Sequence, residues 1–381
     1  MKTFHCTHCD NLVFFENVQC LQCQHRLAYV PERQQMVALA ESGDGRWREA
    51  GNGGGATLQL CANYLQHQAC NWALRADDAT PLCLSCRLTR TTPPLDAAVH
   101  RQAWVRLEAA KRRLVYTLHA LRLPLVPKSD VAPEGMCFDF LADLSGPYGD
   151  GSRVVTGHDN GVITVNVAEA DDVYREQQRH ALGEPYRTPL GHLRHEVGHY
   201  YWDRLVRDSP RLQAFRALFG DEQRDYAEAL QRHYQQGAPA DWPERFISAY
   251  ASMHPWEDWA ESWAHFMHMY DALESARSMG VTVRPGNADE PAVRRIALGE
   301  FAPMIEAWLA LTYMLNNLAR GLGEKDSYPF VLSTAVIDKL RFVHQMLADA
   351  DPDGGANCLL GPAAPVAATR QVPLTAPPRP G

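Results

Sequence analysis

Residues 188–206 read TPLGHLRHEVGHYYWDRLV. Thr188 is a residue type that caps helix N-termini, and Pro189 suits the first helical turn, where a missing N–H costs nothing. The stretch therefore opens a helix, and inside it stands His195-Glu196-Val197-Gly198-His199. On a helix, positions i and i+4 share a face, so His195 and His199 aim two imidazoles at one point, an arrangement that suits a zinc ion. Glu196, one residue along, stands beside that point. A carboxylate there can act as general base toward a water that the metal has made acidic, which is the chemistry of peptide-bond hydrolysis.

A catalytic zinc keeps three protein ligands and one open position. One known extension of this motif has a histidine six residues past the second one, but Leu205 stands there. The remaining source is a carboxylate on a later helix. Residues 248–266, SAYASMHPWEDWAESWAHF, supply Glu257 and Glu261, four apart and on one helical face. Glu257 is the expected ligand, with Glu261 accepting a hydrogen bond from a ligand histidine. The reverse assignment stays open. Tyr250 reads on its own as a structural tyrosine, although a tyrosine near the metal can donate to a tetrahedral oxyanion. His254, His265 and His268 lie on the same stripe and read as hydrogen-bonded core residues. Trp256, Trp259 and Trp263 read as packing.

Working outward, Cys137–Leu141, Val154-Val155 and Val162–Val167 look like β-structure around a turn at Asp159-Asn160-Gly161. In HExxH peptidases a strand edge near the metal can hold an extended substrate, and Val162–Val167 is the candidate edge, with an ordinary core strand as the alternative. Asp96–Leu123 has helical periodicity and ends before Pro124. A helix is expected from Pro255 to Arg277, with further helical patterns over 291–320 and 330–349. From about 350 the chain is rich in Pro, Ala and Gly and reads as a disordered tail.

The N-terminal region carries most of the cysteines. Cys6-x-x-Cys9 is followed, after ten residues, by Cys20-x-x-Cys23. Two such hooks suit tetrahedral coordination of one structural zinc, or of iron with the same ligands. Cys61, Cys70, Cys83 and Cys86 form a looser second set and are expected to hold a second zinc, with His67 as a substitute ligand. Closed four-thiolate sites do no chemistry; they hold together segments too small to bury a core and often serve as adhesive surfaces for protein or nucleic acid, and the sequence leaves both open, with a protein partner the expectation. Residues 41–55, ESGDGRWREAGNGGG, read as a loop or linker. Cys137 and Cys358 stand alone and receive no role.

The chain has 381 residues, 46% hydrophobic and 22% charged, which is ordinary globular composition with room for two or three domains. Its formal net charge of −8 argues against a dedicated nucleic-acid binder. The local basic run Arg101, Arg106, Lys111, Arg112 and Arg113 reads as a solvated helix face. The sequence shows no secretory signal and no apolar run long enough to span a membrane, so a cytoplasmic protein is expected, in which CxxC pairs are metal ligands rather than disulfides.

At these residues the chain resembles a known family, the zinc-binding metallopeptidases that carry an N-terminal zinc ribbon. The stretches that carry the resemblance are FHCTHCDNLVFFEN, LCANYLQHQACNW, GVITVNVAEAD, GEPYRTPLGHLRHEVGHYYWDRL and HPWEDWAESWAHF, and it covers most of residues 1–345. A more distant resemblance is to gluzincins of the lethal-factor toxin type, which pair HExxH with Tyr-x6-Glu-x3-Glu; Tyr250, Glu257 and Glu261 fill that pattern. This resemblance implies Glu257 as ligand, Glu261 as its supporting carboxylate and Tyr250 as oxyanion donor.

The expectation is an α+β protein. A zinc-ribbon region spans 1–95, a mainly helical gluzincin-like peptidase domain with a small sheet spans 96–349, and a tail spans 350–381. One catalytic zinc is expected to act with Glu196 on a peptide or protein substrate, and one or two further zincs are structural. The rival from another class is a non-catalytic interaction protein whose HExxH zinc is structural, which would need a fourth protein ligand to close the site.

Overall fold

The chain starts with a two-stranded hairpin, β1 (Phe4–His5) and β2 (Leu12–Val13), around the first cysteine hook. Five antiparallel strands follow in the order β3 (Arg26–Val30), β4 (Gln35–Gly43), β5 (Arg46–Glu49), β6 (Leu58–Leu60) and β7 (Ala73–Arg75). Helix α1 (Ala62–His67) fills most of the gap between Cys61 and Cys70. These coordinates are a computed structural model that describes residues 1–51, 56–143, 153–182, 184–283 and 299–350. The tail from 351 on, with Cys358, and residues 291–298 of an expected helix lie outside the described residues.

The expected linker at 41–55 is a correction. Residues 41–43 finish β4, 46–49 form β5, and Asp44 and Gly45, at φ of 52° and 68°, make the two-residue turn between them. Two successive positive φ values match the twist of a hairpin, so the Asp-Gly pair punctuates strands rather than a loop. Trp47 also anchors β5, with the Arg26 guanidinium 5.1 Å from its ring centre.

A second sheet has the order β10 (Gly157–Asp159), β11 (Val162–Asn166), β9 (Cys137–Leu141), β8 (Thr89–Thr91). β10 and β11 are an antiparallel hairpin, while β11–β9 and β9–β8 are parallel. The hairpin turn requires Gly161: its φ is 78°, and a Cβ there would lie 2.3 Å from the Gly135 carbonyl oxygen. Val162–Val167 is not an edge, which corrects the sequence reading. Residues 162–166 are flanked on both sides, and among the described residues the outer strand beyond them is β10. Alternating apolar residues reveal a strand but not its neighbours. Val154-Val155 lies in no strand.

The remaining elements are helical: α2 (Ala98–Ala120) before the sheet, then α3 (Asp172–Leu182), α4 (Pro189–Leu205), α5 (Leu212–Phe219), α6 (Tyr226–Gln236), α7 (Trp242–Arg245), α8 (Pro255–Ser278), α9 (Phe301–Gly321) and α10 (Thr334–Asp349). α4 starts as its sequence dictates, with the Thr188 hydroxyl accepting from Gly191 N at 3.0 Å. α4 packs on α8 through Gly198. A Cβ there would stand 3.1 Å from Ala260 Cα and 3.2 Å from Trp263 Cδ1. Trp259 Nε1 donates to the Gly198 carbonyl at 2.8 Å, which fixes the crossing. Val197, Tyr201, Trp259 and Trp263 are fully buried around it. α2 braces the pair: Thr117 donates to Asp271 of α8, and the other Asp271 oxygen ion-pairs with Arg194 of α4.

The basic run on α2 is not wholly a solvated face. Lys111 is fully buried, held by Glu108 at 2.9 Å and by Thr89, and Arg112 is buried against the Ala69 carbonyl. Each cation is satisfied by a partner, which is what permits its burial. Phe4, Phe15, Tyr29 and Trp72 from the cysteine-bearing part pack with Tyr116 of α2 in one aromatic cluster, so the ribbons and the helices share a core. Among the described residues no helix is long and apolar enough to cross a membrane.

Candidate metal centre and cleft

In the first cysteine cluster each hook is closed by a left-handed residue, Asp10 at φ 59° and Gln24 at φ 60°, whose N–H donates back to the carbonyl of Cys6 or Cys20 at 2.9 Å. This tight knuckle turns both thiols of a hook inward. Cys6 and Cys23 lie 3.6 Å apart, as do Cys9 and Cys20. In the second cluster α1 spans the longer gap, and Cys70 and Cys83 lie 3.7 Å apart. Backbone N–H groups of Trp72 and Cys83 donate to the Cys70 and Cys61 sulfurs at 3.4 Å. Zn–S bonds of about 2.3 Å at tetrahedral angles put sulfurs about 3.8 Å apart, so both donor sets fit a zinc ion. Burial pushes the Cys70 and Cys83 thiols up, while hydrogen bonds from Cys70, Cys83 and Cys86 pull Cys61 far down. Four sulfurs in one buried space cannot all ionise without a cation. His67 packs its ring against Trp104, 5.6 Å between centres.

The third group lies where α4 crosses the start of α8. His195 Nε2 is 2.9 Å from Glu257 Oε2, and His199 Nε2 is 3.4 Å from Glu257 Oε1. All three side chains are buried and their ligand atoms lie within 4.8 Å of one another. Ligands at about 2.0–2.1 Å from a tetrahedral zinc stand about 3.3 Å apart, so this nitrogen and oxygen set also fits. No fourth side chain joins the group among the described residues.

The surroundings orient each member. His195 Nδ1 is 2.7 Å from Glu261 Oε1, and Ser248 Oγ donates to Glu261 Oε2 at 2.6 Å. Burial opposes ionisation of Glu261, but the hydrogen bond and charge of His195 outweigh it and hold the carboxyl at about 2. Tyr226, the first residue of α6, donates to Glu257 Oε1 at 2.9 Å. The Tyr250 ring lies 6.1 Å from that of His195. Burial and then the Glu257 charge push both phenols far above their ordinary value, so both stay protonated donors. Trp256 packs its ring 4.5 Å from His199. His254 caps α8 by accepting from Trp256 N at 3.1 Å, while its Nε2 meets the Arg224 carbonyl at 3.0 Å.

Glu196 is 5% exposed and faces His192 one turn back, with His192 Nε2 3.2 Å from its Oε1. Behind His192 stands Glu169, 3.7 Å from Nδ1 and itself 2.7 Å from Arg187. Burial opposes a charge on His192, but Glu169 and Glu196 raise it to about 9. Glu196 is held as a carboxylate against its own burial, first by the His192 hydrogen bond. A cavity of about 420 Å³ opens here, lined by His192, His195, Glu196, Tyr250 and Glu261 and reaching Tyr186, His265, His268 and Phe330.

The sequence reading brought together His195, Glu196, His199, Glu257, Glu261 and Tyr250, and the fold gathers all six in one region. It missed Tyr226, Ser248, His192 and Glu169. Only His192 had a local signal, its position one turn before Glu196 on the same helix face.

The crossing of α4 and α8 thus brings two histidines and a glutamate together as a candidate metal centre, with the Glu196 carboxylate beside it. Comparison with known proteins gives the family: a model described as "putative zinc-binding metallo-peptidase" matches residues 100–346, and a zinc-ribbon domain model matches residues 3–97. The chain belongs to that metallopeptidase family and carries a zinc ribbon before the matched region. Uncharacterized proteins of two Mycobacterium tuberculosis strains and of Mycobacterium bovis are each 41% identical to it over 354 residues, 93% of this chain and 97% of theirs. No solved structure matches the chain.

Proposed function

We propose that the protein is a zinc-dependent peptidase of the gluzincin type that hydrolyses peptide bonds. His195, His199 and Glu257 hold the catalytic zinc, and each cysteine cluster holds a structural one. The observation that carries this reading is the three-donor group, joined by no fourth His, Cys, Asp or Glu among the described residues, with His195 and Glu196 on the wall of the cavity. A zinc ion bound there supplies a Lewis acid that polarises the scissile carbonyl and acidifies a water.

The rest is done by the chain. Glu261 takes the Nδ1 proton of His195 in a hydrogen bond and so fixes the imidazole with Nε2 toward the metal. Tyr226 steadies Glu257 through its free oxygen. His192, backed by Glu169 and Arg187, keeps Glu196 ionised and turned to one side, ready to accept a proton from water and to return it to the leaving amine. Tyr250, a protonated phenol at the same end of the cavity, is the donor for the oxyanion. The free edge of β10 pairs with the extended substrate. His158 on that strand lies 6.1 Å from the His199 ring, and Thr156 lines the cavity.

Changing Glu196→Gln keeps shape and burial but removes the base. Hydrolysis of a peptide library should fall by about 10²–10⁴-fold, while zinc content by elemental analysis stays unchanged. Activity equal to wild type in that variant would sink the assignment.

A further inference from the structure

We propose, resting on the peptidase reading above, that the cavity beside Glu196 receives the side chain that follows the scissile bond and selects a large, uncharged aromatic residue there.

The direction follows from the proton. The carboxylate that takes a proton from water must return it to the amine that leaves, so that amine lies against Glu196. The residue carrying it is the one C-terminal to the broken bond. Its side chain therefore enters the space that starts at His192 and Glu196, which is this cavity.

The size follows from the volume. About 420 Å³ lies in the range of pockets that enclose whole small organic ligands, about 300–1,000 Å³. An alanine or glycine would leave most of the wall without contact.

The walls set the chemistry. Tyr186, His265, His268 and Phe330 form a continuous ring-lined surface. His265 and Phe330 have centres 4.3 Å apart and planes at 81°, and Tyr186 lies 5.5 Å from His268 and 6.4 Å from Phe330. Tyr186, His268 and Phe330 are each part-exposed and line the cavity, so a guest ring there can make aromatic contact with them.

Among the described residues, the charged side chains that line the cavity already have partners. Arg187 is taken by Glu184 and Glu169, Arg194 by Asp271, Glu261 by His195 and Ser248, and Glu196 by His192. Burial holds the His265 and His268 imidazoles down at about 4 and about 3, so both are neutral at pH 7. An acidic or basic side chain would be desolvated with no partner waiting, or would have to break an existing pair.

The test uses zinc-loaded full-length protein and two assays. The first is cleavage of peptides that differ only in the residue after a fixed bond (Phe, Tyr, Ala, Glu or Lys), read by mass spectrometry as kcat/KM. The second is calorimetric binding of phenylalaninamide, alaninamide, glutamic acid α-amide and lysinamide. Phe and Tyr should exceed the other three by at least about tenfold in both assays, within the range that pocket contacts discriminate. Ala264→Leu fills the cavity from α8 and should cut the aromatic-to-alanine ratio by about tenfold or more. Phe330→Ala should cut it in the same direction should the leucine variant fail to fold. Cleavage with no aromatic preference, or with preference for Glu or Lys, overturns the proposal and leaves the peptidase reading standing. No cleavage, with aromatic binding that Ala264→Leu abolishes, overturns the peptidase reading and keeps the cavity's selectivity. Neither cleavage nor aromatic binding overturns both.

Discussion

The cysteine clusters and the His195–His199–Glu257 group gather their donor atoms to the same tightness, within 4.8 Å, but by opposite means. The cysteines sit on short knuckles and at either side of a six-residue helix, with four like donors gathered in each cluster. The hairpin β1–β2 is short, and although Phe4 and Phe15 join the shared core, a zinc bound by the four thiols would add folding free energy there. The histidines and Glu257 sit on two long helices whose crossing is fixed by Gly198, Trp259 and Trp263, with Asp271 and α2 behind. In that region the fold itself holds the donors in place, and three gather there, against four in each cysteine cluster, among the described residues.

The contrast can be broken by exchanging one ligand in each region. Cys83→Ser should unfold the second cluster, at a cost on the order of several kcal/mol, because structural zinc binding is folding free energy. It should lower the thermal midpoint markedly in circular dichroism. His199→Ala, by contrast, should lose the zinc of the α4–α8 crossing, keep the cysteine-held metal and melt close to the wild-type midpoint. Equal thermal losses in the two variants would contradict the division.

Glu261→Ala sharpens the comparison inside the open site. It touches His195 but not the metal, and should weaken zinc binding by about 10–100-fold, measured by competition with a chelator, while the cysteine-held zinc is unaffected. Gly198→Ala probes the scaffold itself. A methyl group 3.1 Å from Ala260 Cα must push two helices apart, since that neighbour is backbone and cannot swing away. A cost of about 1 kcal/mol is expected in chemical denaturation, the lower end for overpacking. A stabilised Gly198→Ala protein would show that the crossing tolerates a wider gap.

Much of this was legible because it is local. Thr188-Pro189 marks the start of α4, the i, i+4 rule pairs His195 with His199 and Glu257 with Glu261, and Asn160-Gly161 marks the hairpin turn. The cysteine hooks are equally local. What the sequence hid depends on neighbours across space. Strand order decided that Val162–Asn166 is interior and that β10 is the edge. Tyr226 reaches Glu257 from a helix 31 positions away, with no periodicity to announce it. Glu169 lies 18 positions before Arg187 and is brought to His192 only by the sheet. The Gly-rich look of 41–55 concealed β5 because the same Asp-Gly pair serves loops and hairpins alike.

The most direct test of the central claim is zinc content by elemental analysis, comparing wild type with a His195→Ala, His199→Ala double variant. The account predicts that the variant carries one zinc per chain fewer than wild type and keeps the cysteine-bound metal. Identical zinc content in the two proteins would mean that the α4–α8 crossing holds no metal, and the peptidase reading would fall.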